Sequence, residues 1–295
     1  MRNAITVMNA KGGVGKSTLT LTMAETLSVH HDKKVLVVDS DAHASISTML
    51  ISPDSFETIQ GRGGTFVDYL IETVLKSAQR NWSAFVVTGV SDIDDARSID
   101  LLLASSHLTL FEREVSKGNH ETALRRAIRA FLSEARKAYD IVLIDSAPGL
   151  SLVTECWLRE ADFVLSPAKP DYLSSRGLHF LQQFGKRDAE LGFAESLGVI
   201  LSMKDTNSAE DERFEHWLRR NIKKRCFEQI IPRSGALQSA AYHCASARSF
   251  WAKYPGECGR GLRKLAAELL KRLDAAQMRT SEARCAEIGG DPTRG

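Results

Sequence analysis

Eight residues near the start of the chain, Lys11-Gly12-Gly13-Val14-Gly15-Lys16-Ser17-Thr18, constrain it more than any other segment. They follow a short apolar run, Ala4-Ile5-Thr6-Val7-Met8, and precede a stretch with apolar positions at Leu19, Leu21, Met23, Ala24 and Leu27. A glycine-rich turn between a β-type run and a helix lets backbone N–H groups point inward, at the positive end of the helix dipole. A phosphate-binding loop requires that context. In such a loop Lys16 reaches the β- and γ-phosphates and the Ser17 hydroxyl ligates Mg²⁺. The segment therefore predicts binding of a nucleoside triphosphate with magnesium. Its opening lysine, Lys11, makes it a variant of the common pattern.

The rest of the chain reads as alternating strands and helices. Val35-Leu36-Val37-Val38 ends at Asp39, and Ile141-Val142-Leu143-Ile144 ends at Asp145. Continuous apolar runs of this kind suit a parallel sheet covered on both faces. Further strand patterns occur at 99–103, 163–165, 199–201 and 227–231. Helical patterns occur at 120–139, 151–160, 174–191 and 209–225. The expected fold is α/β, a mostly parallel twisted sheet flanked by helices on both faces. Residues 1–277 read as one ATPase-sized domain. Residues 51–97 are the least regular part, a variable insertion with turn formers at Ser52-Pro53-Asp54 and Gly61-Arg62-Gly63-Gly64. A final helix carries one apolar stripe at Leu262, Leu265, Ala266, Leu269, Leu270 and Leu273, expected to pack on the sheet. The polar residues 278–295 read as a disordered tail.

Three aspartates gather where ligands sit in open α/β sheets, at the carboxyl ends of strands. Asp145 is placed to hold Mg²⁺ through water, with Asp39 in support, since that ion takes few protein oxygens. Asp41, in Asp39-Ser40-Asp41, is free to orient an attacking water. Five cysteines (Cys156, Cys226, Cys244, Cys258 and Cys285) stand widely spaced with no C-x-x-C pair, which argues for a reducing cytoplasm and against a disulfide framework or zinc site. The chain enters a strand pattern at once, which argues against a signal peptide. Over 295 residues the formal net charge is +2, so a site for nucleic acid would have to be local. Arg219, Arg220, Lys223, Lys224 and Arg225 form a dense basic run, and Arg248 follows. These are candidate phosphate contacts for DNA without base readout.

The variant loop, Asp39-Ser40-Asp41 and Asp145-Ser146-Ala147-Pro148 together resemble the ParA/MinD class of P-loop ATPases. Ser105–Glu114, the stretch from Leu165 to Leu178, and Ile231-Pro232-Arg233-Ser234 are similar to segments of the ParA branch. The resemblance spans roughly residues 3–275. It implies that Lys11 crosses to a partner subunit's nucleotide and that ATP joins two copies face to face. It implies that Asp41 positions the hydrolytic water, that Pro232 and Arg233 border the base, and that Lys11, Lys16 and Asp41 carry slow, dimer-dependent hydrolysis. It also implies nonspecific DNA binding on the nucleoid and a ParB-like or other stimulating adaptor, with DNA or another large cargo positioned as the outcome. The branch without an N-terminal helix-turn-helix fits, because the loop begins at residue 11. One departure stands out: the ParA pattern usually has Pro-Gln after the second aspartate, where this chain has Ala42-His43.

Other classes are weaker on the residues. A MinD-like membrane switch needs an amphipathic terminal helix, and this stripe has no Trp or Phe. A nitrogenase iron-protein type needs paired cysteines. A bacterial tyrosine kinase needs a tyrosine-rich tail, and the last tyrosine is Tyr254. A nucleotide-sensing scaffold without turnover would show itself if Asp41→Ala left hydrolysis unchanged.

Overall fold

The computed structural model describes residues 3–96, 98–187 and 192–288. Strands β1 (Asn3–Val7), β2 (Val35–Ser40), β3 (Val86–Val87), β4 (Ile99–Leu102), β5 (Ile141–Ser146), β6 (Phe163–Ala168), β7 (Glu195–Lys204) and β8 (Ile231–Pro232) form one sheet. Their order is β3-β4-β2-β5-β1-β6-β7-β8. Every pairing is parallel except the short β3 on β4.

Alternation along the strands divides the core. Ile5, Val7, Val35, Val37, Ile141 and Leu143 face one layer, built on α1 (Lys16–His31) and the terminal helix. Ala4, Leu36, Val38, Val142 and Ile144 face the other, built on α6 (Glu121–Ala138) and α7 (Leu152–Glu160). Both faces of the central strands are buried, which explains their unbroken apolar runs. The helices that follow β1 and β5 thus lie on opposite faces, and a crevice opens at the carboxyl ends of those strands.

The terminal helix, α12 (Glu257–Ile288), spends its stripe of Leu262, Leu265, Ala266, Leu269 and Leu273 on the first layer. It runs ten residues past the boundary expected at 278. Met278, Glu282, Ala283, Ala286 and Glu287 favour helix, and no glycine intervenes before Gly289. Residues 289–295 lie outside the described residues. No helix among the described residues is long and apolar enough to cross a membrane.

Segment 51–97 is built of short pieces. Ser52 caps α3 (Pro53–Gly61), and a Thr65/Asp68 capping box starts α4 (Phe66–Leu70), which continues as a π-turn through Leu75. Phe66 stacks on Trp157, and Trp82 meets the Phe131 ring edge-on. The expected strand at 227–231 shrinks to β8, because the backbone at Glu228 and Gln229 turns out to donate to Glu268 on α12.

One buried ionic cluster ties distant segments together. Lys253 Nζ lies 2.7 Å from Glu25 Oε1 and 2.6 Å from Asp92 Oδ1, with all three side chains fully buried. Tyr254 and Ser91 donate to Glu25, and Arg248 to Asp92. Removing one partner of such a set strands the opposite charge, which costs more than the pair contributes. Lys253→Met is therefore expected to lower unfolding free energy by about 3–5 kcal/mol in urea titrations. A loss under about 1 kcal/mol would show that the Lys253 pairs contribute little to holding the fold together.

Candidate phosphate site

Register assembles this site. Val7 on β1 pairs with Asp145 on β5, and Asp145 pairs with Asp39 on β2. Three parallel strands therefore end side by side, with the glycine loop springing from the first. Gly13 (φ 68°) and Gly15 (φ 86°) take left-handed backbone that a side chain would strain. The first turn of α1 has no capping side chain and no acidic residue, so its N–H groups remain available to an anion. Gly12, Gly13, Gly15, Lys16, Ser17 and Thr18 line a cleft of about 440 Å³ with Asp41 and His43 on its rim. Val14 is buried beneath, its carbonyl accepting from Ser202 Oγ at 2.6 Å.

The charges under the loop are balanced tightly. Lys16 is buried, and burial pulls its ammonium below the ordinary value, with Asp145 and then Asp41 opposing. Burial, and then Asp145, hold the Asp39 carboxyl well above the ordinary carboxylate range. Burial likewise raises the Asp145 carboxyl, against the Ser17 hydroxyl and the Lys16 charge. Asp145 Oδ1 accepts from Thr20 Oγ1 at 3.3 Å, while its Oδ2 is buried with no hydrogen-bond partner among the described residues. Asp39 is more fully engaged: Oδ2 accepts from Ser47 N and Oγ, and Oδ1 from Asp41 N. Its carboxylate thereby anchors the turn that carries Asp41. Among the described residues no cluster of three or more His, Cys, Asp and Glu side chains could cage a metal ion by itself. The orphaned Asp145 oxygen beside the Ser17 hydroxyl fits a hard cation that completes its shell with water and phosphate oxygens.

Pro232 and Arg233 lie beside the loop. They line a second cleft, of about 580 Å³, that also touches Gly15 and Thr18. Between the clefts stands Met203, which borders both; its φ of 56° is unusual for a residue with a side chain. A one-residue irregularity in the β7–β8 register accompanies it.

Lys11 does not line its own phosphate cleft. Its Nζ lies 3.0 and 2.8 Å from the two oxygens of Asp171, just before α8 (Tyr172–Arg187). Burial works against ionisation of Asp171, and Lys11 with the Ser174 amide overcomes it, holding the carboxyl below its ordinary value. Lys11 N donates to Asn9 Oδ1, and Asn9 Nδ2 donates to Pro167 O. Gly177 closes this corner: a Cβ there would fall 2.4 Å from Asn9 Oδ1. The contacts Asp171–Lys11 and Asn9–Pro167 join residues some 160 positions apart, so no local pattern in the sequence announces them.

The basic residues do not share one role. Arg219, on α9 (Ala209–Ile222), bonds Glu215 and the carbonyls of Phe227 and Glu228. Arg248 belongs to the buried cluster through Asp92. Both, expected on a DNA face, are engaged in internal contacts. Arg220, Lys223 and Arg225 are exposed near the exposed Trp217. The Lys224 side chain lies outside the described residues.

A family model described as an AAA domain matches residues 2–191. The chromosome-partitioning ATPase Soj of Treponema pallidum is 29% identical over 279 residues, 92% of this chain and 98% of that one. Two solved structures share the fold: pNOB8 ParA bound to nonspecific DNA (TM-score 0.67, 19% identity, 93% of this chain and 99% of that one) and cobyrinic acid a,c-diamide synthase from Mycobacterium smegmatis with bound ATP analogue and magnesium (TM-score 0.68, 21% identity, 94% and 97%). The chain belongs to this AAA domain family, as a P-loop ATPase of the ParA/MinD class and its Soj-like type.

Proposed function

We propose that this chain is an ATP-driven partition switch. It binds ATP with Mg²⁺, pairs with a second copy across the nucleotides, holds nonspecific DNA in that state, and is released by slow hydrolysis that a ParB-like or other partner protein stimulates. The cargo is DNA or another large body. The observation that carries this reading is Lys11: a loop lysine held outside its own phosphate cleft by Asp171, available to serve another subunit's nucleotide.

Within one subunit the loop amides from Gly12 to Thr18 cradle the phosphates, and Lys16 meets the β- and γ-oxygens. Ser17 and Asp145 would hold Mg²⁺, with Asp39 bracing the strand end; bound there, the ion neutralises charge on the phosphate oxygens. Asp41, on the rim of the cleft, orients the water that attacks in line. Pro232 and Arg233 border the base. A lysine delivered in trans stabilises developing charge only in the dimer, which makes hydrolysis a timer. The DNA-bound neighbour with the same fold supports a DNA-holding state. Here Arg220, Lys223 and Arg225 supply it. The membrane alternative loses its instrument, because the α12 stripe is buried in the core.

DNA retention on a filter, with and without ATP, tests the proposal directly. Retention is expected only with ATP and should fall steeply with salt, by about 0.9 in log affinity per log salt for each phosphate contact. Equal retention in both states at moderate salt would sink it. Replacing Arg220 and Lys223 by Gln is expected to reduce that salt slope by about 2 per chain. In sedimentation, Lys11→Ala should remain monomeric with ATP and lose at least about tenfold in turnover. Asp41→Ala should trap the dimer; hydrolysis by that variant at the native rate would remove Asp41 from its water-positioning role.

A further inference from the structure

The turn between β2 and α2 (Ser45–Leu50) closes on Asp41. Ala44 N donates to the Asp41 carbonyl at 2.8 Å, with Ala44 itself in left-handed backbone at φ 52°. His43 N donates to Asp41 Oδ1 at 3.0 Å. That local bond is one any residue at position 43 could make. The side chain adds a second: His43 Nδ1 lies 2.8 Å from the same Oδ1. An ionised carboxylate only accepts, so this contact requires the proton on Nδ1. Oδ1 is therefore held by two donors, while no hydrogen bond to Oδ2 is present among the described residues. Asp41 and His43 both face the cleft lined by Lys16 and Ser17.

We propose that His43 is a positioning residue for Asp41: its Nδ1–H locks the carboxylate's rotation so that Oδ2 stays turned to the attacking water. The terminal torsion of an aspartate is broad and two-fold, so one backbone donor leaves the plane of the carboxylate loosely set. A second donor on the same oxygen fixes it, as outer partners orient catalytic groups elsewhere. The inference rests on the reading of Asp41 as the water-positioning group. It gives a role to one of the two residues, Ala42 and His43, at which this chain departs from the pattern after the second aspartate.

Steady-state phosphate release by the full chain at rising ATP tests it. His43→Leu removes the side-chain donor, and His43→Asn replaces it with an amide N–H of similar reach. The side chain is 81% exposed, so neither variant should shift the thermal midpoint appreciably. His43→Leu is expected to lower kcat about five- to tenfold with KM nearly unchanged, the pattern of a contact that matters only in the transition state. His43→Asn should recover most of that loss. In an Asp41→Ala background His43→Leu should change nothing further, because its effect passes through Asp41. Native kcat in His43→Leu, equal losses in the Leu and Asn variants, or an undiminished loss in the Asp41→Ala background would each overturn the positioning role. Native turnover in Asp41→Ala alone would instead remove the reading beneath it, and the proposal with it.

Discussion

Two carboxylates buried at the ends of neighbouring strands, Asp39 and Asp145, set the terms for the rest of the site. Neither can hold a charge there without compensation. Asp39 obtains it from Ser47 and from the amide of Asp41, which offset its burial only in part, and in doing so fixes the turn that leads into α2. Asp145 obtains it only in part, from Lys16, Ser17 and Thr20. Its remaining oxygen is buried without a hydrogen-bond partner among the described residues, a deficit that a bound cation would make good. The glycine loop, the first turn of α1 and the Asp41 turn are thus all tied to one buried electrostatic problem.

The parts of the molecule that the sequence exposes are those with local causes. The runs at β2 and β5 are continuous because both faces are covered, and they place Asp39 and Asp145 without further information. The loop is legible because its glycines, lysines and serine each answer a separate demand of phosphate binding. Segment 51–97 resists reading for the opposite reason. Its pieces are two to nine residues long, too short for periodicity, and its aromatic side chains are ordered by Phe131 and Trp157, far along the chain. Helix α5 (His107–Lys117) is the intermediate case: only Leu108, Phe111 and Val115 make its buried stripe, three positions among mostly polar residues.

Charge was the least readable property. A run of arginines and lysines looks uniform in sequence, yet Arg219 is consumed by carbonyls of the chain that follows α9 and Arg248 by Asp92. Only the fold distinguishes a guanidinium that braces the backbone from one that meets solvent. The same holds for Lys11, whose partner Asp171 lies on the far side of β6 in sequence and against the loop in space.

Gly177 gives this corner a mechanical character. With no room for even a methyl group between α8 and Asn9, the helix and the start of the loop are in direct contact, without a cushion of side chains. Asn9 in turn holds the Lys11 amide and the end of β6. Lys11 and Asn9 therefore fix where α8 begins, and with it the exposed Tyr172, Leu173 and Phe180 that this helix carries. The phosphate loop and the apolar patch on α8 are built against one shared contact.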